Sequence, residues 1–368
     1  MKVAIDARML NVLDDKAGLY QYTTNLIVNL LKIDPRSSYK ILCGFRRPVR
    51  IPSANVLRIP GRLCHFWLDK LQMQVEWLVG KVDVFHGPCF YLPQCRTART
   101  VVTIHDLMVF RHPEFLLRDC AETNQKQIVA SVKSADAIIA VSEFTKRELI
   151  ELFRISPQRI RVIANGVSDR FHIEHAAVGI EEIKRKYEIT KPYVLFVGNI
   201  EPKKNISSLI RAFVLLRERF KYPHQLVIVG KKAWGFPSVR NLVLDLGAKK
   251  EVLFLGVVSD DDVRSLYHGA DLFVFPSLFE GFGIPVIEAM ACGTPVVASG
   301  HTSLAEVVDT AAVLVDPSDI EDLVDKMHAV LDNEELRHAL IQRGLARAKL
   351  FSWKETARQT LKLYHELL

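Results

Sequence analysis

The sequence predicts an α/β protein made of two doubly wound domains, and three observations carry that expectation. A chain of 368 residues favours two or three domains. Short apolar runs such as Tyr193-Val-Leu-Phe-Val-Gly198 and Ala270-Asp-Leu-Phe-Val-Phe275 are each followed by a turn and a helical pattern. That alternation is how a buried parallel sheet with crossover helices is written. The stretch from Ser168 to Gly179 is polar and lacks periodicity, so it reads as an interdomain linker. The expected division is residues 1–170 and 171–351, with a tail helix after them.

Composition narrows the class further. Hydrophobic residues make up 49% and charged residues 25%, an ordinary globular balance. The opening MKVAIDARML reads as a strand rather than a signal peptide. No apolar run approaches the ~20 residues of a membrane span. The six cysteines (43, 64, 89, 95, 120 and 292) show no metal-ligand spacing, so reduced cytosolic thiols are expected. The net charge of +7 is uneven: residues 1–170 hold 25 Lys+Arg against 16 Asp+Glu, and the remainder 24 against 26. Between Asp34 and Asp69 lie seven basic residues (Arg36, Lys40, Arg46, Arg47, Arg50, Arg58, Arg62) and no acid, followed by Leu63-Cys-His-Phe-Trp-Leu68. The stretch 36–68 suits an anionic membrane surface. On charge alone it would suit nucleic acid, although no nucleic-acid motif accompanies it. A solvated basic face over a buried aromatic helix is the third alternative.

The elements follow in order. Met1–Ala7 is the first strand, and a loop containing Gly18 leads into a helix through Tyr22, Leu26 and Leu30. A glycine loop between strand and helix is a phosphate-facing arrangement in doubly wound folds. Val82-Asp-Val-Phe-His86 and Arg99–Ile104 are strands whose carboxyl ends carry His86 and His105-Asp106, on the side where ligands bind in open sheets. Packing or capping is the competing role for each histidine. Ser142, after the strand Ala137–Ala140, is an N-cap candidate.

In the second half, Tyr193–Gly198 leads to the loop 199–205, which places Lys203 and Lys204 at a helix N-terminus. Two cations oppose the helix dipole there unless an anion completes the site. Gln225–Gly230 and Val252–Val258 are further strands. Asp260-Asp-Asp262 matches a metal-binding DxD pattern, but it opens a helix, where acids complement the dipole and cap the first amides; we assign it no metal. Ala270–Phe275 then leads through Glu280, Gly281 and Gly283 to a helix with Pro285 in its first turn. The glycines allow close backbone approach, and the helix start offers amides to an anion. Glu280 and Glu288 would repel a lone phosphate, whereas a nucleotide-sugar brings hydroxyls as well as a diphosphate. The tail helix is amphipathic, with Trp353, Ala357, Leu361 and Tyr364 on one face. Met290, Met327 and His328 read as ordinary helix-face residues.

The run Glu280-Gly-Phe-Gly-Ile-Pro-Val-Ile-Glu288-Ala-Met-Ala-Cys-Gly-Thr-Pro-Val-Val-Ala298 closely resembles the signature of retaining glycosyltransferases of the GT-B fold, family four, also called glycosyl transferases group 1. Gly18-Leu-Tyr-Gln-Tyr-Thr-Thr-Asn-Leu26, Thr103-Ile-His105-Asp106-Leu, Asn165-Gly166-Val167 and Glu201-Pro-Lys-Lys-Asn205 are similar to other segments of that family, so the likeness covers nearly the full length. Departures are Tyr20 for a glycine, Ala164 for a proline, Lys203 for an arginine and Asn199 where many relatives carry arginine or threonine. The resemblance implies two Rossmann-like domains facing a cleft. Residues 1–170 form the acceptor-side domain, residues 171–351 the nucleotide-sugar domain, and a helix over 352–368 crosses back to the first. It implies catalytic roles for His105, Glu280 and Lys204. His105 faces the hexose, Glu280 holds hexose hydroxyls, Glu288 holds ribose, and Lys204 with Lys203 holds the diphosphate. Val257 and Val258 take the base through their backbone, and Gly18, Asn199, Gly281, Phe282, Gly283 and Ile284 complete the donor site. Catalysis should then require domain closure.

The implied reaction is metal-independent, retaining transfer of a hexose from a nucleoside diphosphate sugar to a hydroxyl, with no cofactor. The segments around His105 and Lys204 look most like bacterial mannosyltransferases of surface-polysaccharide assembly. That suggests GDP-mannose as donor, with UDP- and dTDP-hexoses open, and a saccharide or lipid-linked saccharide as acceptor. The expected location is the cytoplasm, or the inner face of the cytoplasmic membrane through residues 36–68. Two rivals remain: a sugar-nucleotide epimerase on the same fold, and a non-catalytic nucleotide-sugar-binding subunit. The second would usually have lost a glutamate or the phosphate lysine.

Overall fold

A computed structural model describes residues 1–11, 18–44, 55–59, 68, 73–116, 118–171 and 179–368. The chain divides into two compact units, Met1–Gly166 with Ser352–Leu368, and Val167–Phe351. The first boundary thus falls at 166/167 rather than 170/171. Residues just beyond it are anchored in the second unit: Val167 donates its N–H to Phe351, and buried Phe171 lies edge-on to Tyr267.

In the first unit seven parallel strands run in the order β3-β2-β1-β4-β5-β6-β7. They are β1 (Lys2–Asp6), β2 (Ser38–Gly44), β3 (Asn55–Ile59), β4 (Val84–Gly87), β5 (Arg99–Ile104), β6 (Ala137–Ala140) and β7 (Ile160–Val162). Apolar side chains such as Val3, Ile5, Phe85, Val101 and Ile138 are wholly buried, as expected for a sheet covered on both faces. The order reverses between β1 and β4, and such a switch point opens a crevice at the strand carboxyl ends. β2 and β3 interrupt the basic stretch 36–68, and the sequence reading names neither. The charge of Lys40 hides the first: its amine turns inward and donates to the Val79 carbonyl at 2.6 Å, leaving Ile41, Leu42 and Cys43 as core. Lys40 thus spends its amine on a backbone carbonyl of its own unit. Arg46, Arg47, Arg50, Arg62 and the segment 63–67 lie outside the described residues.

The tail helix Trp353–Glu366 belongs to the first unit and packs on the helix Gly18–Ile33. Its inner face carries Trp353, Thr356, Ala357, Thr360, Leu363 and Tyr364, with Leu361 only half-buried. The threonines replace the expected leucine because their hydroxyls are satisfied: Thr356 donates to Ala164, and Thr360 to the Thr356 carbonyl at i−4.

In the second unit six parallel strands run β10-β9-β8-β11-β12-β13. They are β8 (Tyr193–Val197), β9 (Gln225–Val229), β10 (Val252–Gly256), β11 (Leu272–Phe275), β12 (Val296–Ser299) and β13 (Val313–Val315). The reversal lies between β8 and β11, paired through Val194–Leu272 and Leu195–Phe273. Phe196 stacks on Phe275 across that pair, with ring centroids 5.7 Å apart. The two loops carrying Lys204 and Glu280 therefore leave neighbouring strands over one rigid aromatic floor. Among the described residues no helix is long and apolar enough to cross a membrane.

Candidate active site

The loop after β8 is shaped by its backbone. Gly198 ends the strand, Pro202–Lys204 forms one 3-10 turn, and Asn205 adopts the left-handed conformation before the helix Ile206–Phe220. The Asn205 amide donates to the Pro317 carbonyl, and Asn199 donates to Glu201. This turn is fastened to the loop after β11, because Leu278 donates its N–H to the Lys203 carbonyl at 2.8 Å. Lys204 thereby meets Glu280: Nζ lies 2.5 Å from Oε1, and also 4.8 Å from the centre of the Phe275 ring. Glu280 is 8% exposed. Burial pushes its carboxyl pKa up, but the charges of Lys204 and Lys203 outweigh that, so the net shift is downward. Glu280 is an anion held beside a desolvated ammonium.

The backbone of this loop is clamped from behind. Ser303, wholly buried in the helix Thr302–Val308 after β12, donates its hydroxyl to the Glu280 carbonyl at 2.9 Å. The neighbouring Leu304 occupies the space where a Cβ on Gly283 would lie, 2.4 Å away, and Gly283 has φ +98°. Only glycine fits there, and it starts the helix Ile284–Ala291, with Pro285 in the first turn. Sequence reasoning missed Ser303, since a serine in a Gly-His-Thr-Ser turn has nothing to mark it.

The remaining donor-side candidates divide. Glu288 is buried on the inner face of that helix, where its Oε2 accepts from the Tyr267 hydroxyl at 3.2 Å. Gly281 and Ile284 flank the Glu280 loop. Phe282 is turned away, buried edge-on to Phe351 at 5.6 Å, so its backbone alone is left to meet a ligand. Val257 is exposed and Val258 buried, directly after β10. Gly18 is the first residue of its helix rather than part of a loop, and among the described residues a Cβ there would meet nothing within 4 Å.

The Asp260–Asp262 run opens the helix Asp260–His268, as its position predicts, but the cap is Ser259 and not one of the acids. Asp262 takes hydrogen bonds from Lys186 and the Tyr187 hydroxyl at 2.8 and 2.7 Å, and Asp260 pairs with Arg170.

On the first unit, His105 follows β5 and is 9% exposed. Its Nε2 donates to the Pro88 carbonyl at 2.7 Å, which leaves Nδ1 without the proton in the neutral ring. The edges of Tyr22 and Phe90 enclose it, and burial lowers its pKa to about 4 against the opposing pull of the Pro88 carbonyl and Asp106. His86 is a different case from the expected ligand-side residue. Fully buried, it spends Nδ1 on the Tyr364 hydroxyl at 2.6 Å and Nε2 on Thr103 at 2.8 Å. Burial, with His105 adding to it, lowers its pKa to about 3. His86 is a packing residue that ties the tail helix to the sheet. Ser142 caps the helix Glu143–Phe153 through the Thr145 N–H, as expected.

Comparison with known proteins agrees with this arrangement. The family profile Glycosyl transferases group 1 matches residues 179–347, and Glycosyltransferase Family 4 matches residues 32–171. O-antigen chain mannosyltransferase B of Escherichia coli is 37% identical over 284 residues, covering 76% of this chain and 74% of that protein. Serotype-specific mannosyltransferase WbdA of Escherichia coli is 33% identical over 277 residues, covering 73% of this chain and 34% of that longer protein. Sucrose-phosphate synthase from Thermosynechococcus elongatus superposes with a TM-score of 0.81 at 21% identity, over 100% of this chain and 99% of that one. Two parallel α/β sheets, clustered loops at one switch point and similarity along nearly the whole sequence lead to one conclusion: the chain belongs to the family-four, group 1 glycosyltransferases.

Proposed function

We propose that the protein transfers mannose from GDP-mannose to a hydroxyl of a saccharide or lipid-linked saccharide, with retention at the anomeric carbon and without a metal. The observation that carries this reading is the buried Lys204–Glu280 pair on loops fastened to each other. The mannosyltransferase names of the relatives support the sugar.

In the proposed reaction the diphosphate takes Lys204 as its cation, joined by Lys203 and by amides at the start of the helix Ile284–Ala291. Such fixed donors stabilise a departing diphosphate because they need no reorganisation in a water-poor site. Glu280, released from Lys204, binds hexose hydroxyls, and its charge favours the oxocarbenium-like centre. Glu288 binds the ribose, and the backbone at Val257 and Val258 meets the base. His105 is neutral at physiological pH, so its role is to accept a hydrogen bond through Nδ1 and not to shuttle protons. We assign proton removal from the acceptor hydroxyl to the leaving phosphate on the same face, which accounts for retention without a covalent Glu280 intermediate. An anionic membrane surface meeting residues 36–68 is part of the proposal, and liposome binding that ignores anionic lipid content would argue against it.

A thermal-shift panel of GDP, UDP, ADP and dTDP sugars tests the donor. A ligand at 100 times its dissociation constant adds about 2.7 kcal/mol. GDP-mannose is expected to stabilise most. Stabilisation by none of them would overturn the donor reading, and conversion of free donor to its epimer without acceptor would replace it.

A further inference from the structure

We infer that Trp234 is the stacking face for the nucleobase of the donor; the inference rests on the nucleotide-sugar reading above and extends it to a residue outside the family motifs. Trp234 lies in the loop after β9 and is 54% exposed. Among the described residues it is the one exposed large aromatic of the second unit. An indole left in water at the carboxyl end of a parallel sheet stands where open α/β sheets bind ligands.

The loop around it is built, not incidental. Ile200 donates its N–H to the Lys231 carbonyl at 2.9 Å, and a Cβ on Gly235 would lie 3.3 Å from Pro202. The Trp234 loop is thus packed on the turn that presents Lys203 and Lys204. On its other side Phe236 meets Phe254 of β10 edge-on at 5.4 Å, and the Lys232 amine sits over the Phe236 ring. Gly230 donates to the Gly256 carbonyl, closing the ends of β9 and β10 together just before exposed Val257. The loop that carries Trp234 therefore lies between the turn of Lys203 and Lys204 and the end of β10, where the base is assigned.

Chemistry and spacing agree on the occupant. Lys231 and Lys232 precede Trp234 in the same loop, and residues 231–240 contain no acid, so the loop favours an anionic ligand with an aromatic part. Two strand spacings separate β11 from β9, about 10 Å. A nucleoside whose ribose sits at Glu288 reaches that far with its base. Stacking on an aromatic is tolerant of base identity, so Trp234 supplies affinity and leaves discrimination to the backbone beyond β10.

The test titrates the full chain with GDP, UDP and inorganic pyrophosphate, by calorimetry and by tryptophan fluorescence, for wild type, Trp234→Phe and Trp234→Ala. GDP is expected to quench wild-type emission, with the quench lost in Trp234→Phe although that variant still binds. Trp234→Ala should bind GDP and UDP about ten-fold more weakly while pyrophosphate affinity holds. A quench that persists in Trp234→Phe, unchanged GDP affinity in Trp234→Ala, or an equal loss for pyrophosphate overturns the inference and leaves the donor reading standing. Failure of wild type to bind any nucleotide removes both.

Discussion

Lys204 and Glu280 form a buried ion pair across 76 residues of sequence, with Nζ 2.5 Å from Oε1. Both side chains are nearly withdrawn from water, so each charge depends on the other. Under the proposed reading the donor divides this pair, diphosphate to the lysine and hydroxyls to the carboxylate.

That dependence makes the single variants unstable as well as inactive. Lys204→Met or Glu280→Gln alone should cost about 3–5 kcal/mol, because each strands the other charge in the interior. The double variant should recover most of that loss and remain inactive. Urea midpoints of the four proteins, with a transfer assay beside them, check the cycle; equal stability losses that simply add would show that the two residues are not coupled.

Acid sensitivity follows from the two buried histidines. Their folded pKa values, about 4 for His105 and about 3 for His86, lie below the ordinary 6.5. Above pH 6.5 both states are neutral and nothing is lost. As the pH falls from 6.5 towards 4 the unfolded chain takes up protons that the folded chain refuses, so stability declines, by on the order of 3 kcal/mol for each histidine at pH 4. Urea midpoints between pH 7.5 and 5 should fall, and His105→Asn should flatten the slope. A flat wild-type profile would mean that the imidazoles are solvated.

Ser303→Ala should separate positioning from folding. It removes the donor to the Glu280 carbonyl without enlarging a side chain, so we expect a stability loss of about 1 kcal/mol. Transfer should drop about ten-fold, mainly in kcat, since a loop displaced by a fraction of an ångström misaligns the reacting groups. Unchanged kcat with a raised KM for donor would assign Ser303 to binding alone.

Much of the second unit was legible before the fold. The runs that became β8, β9, β10 and β11 are contiguous and apolar, and the loop after β8 carries two lysines that a plain helix start would not keep. Three things were not. β2 was masked by Lys40, whose amine finds a carbonyl partner only in three dimensions. His86 and His105 lie at strand carboxyl ends, and nothing local separates a histidine sealed by Tyr364 and Thr103 from one bonded to Pro88. The direct meeting of Lys204 with Glu280 depends on the adjacency of β8 and β11, which sequence order conceals.

The most direct measurement is calorimetric titration of GDP-mannose, in excess EDTA, into wild type and into the Lys204→Met/Glu280→Gln double variant. Wild type should bind the donor with the chelator present, and the folded double variant should show no measurable heat of binding. Wild-type binding only after a divalent metal is restored, or undiminished binding by the double variant, would contradict the account.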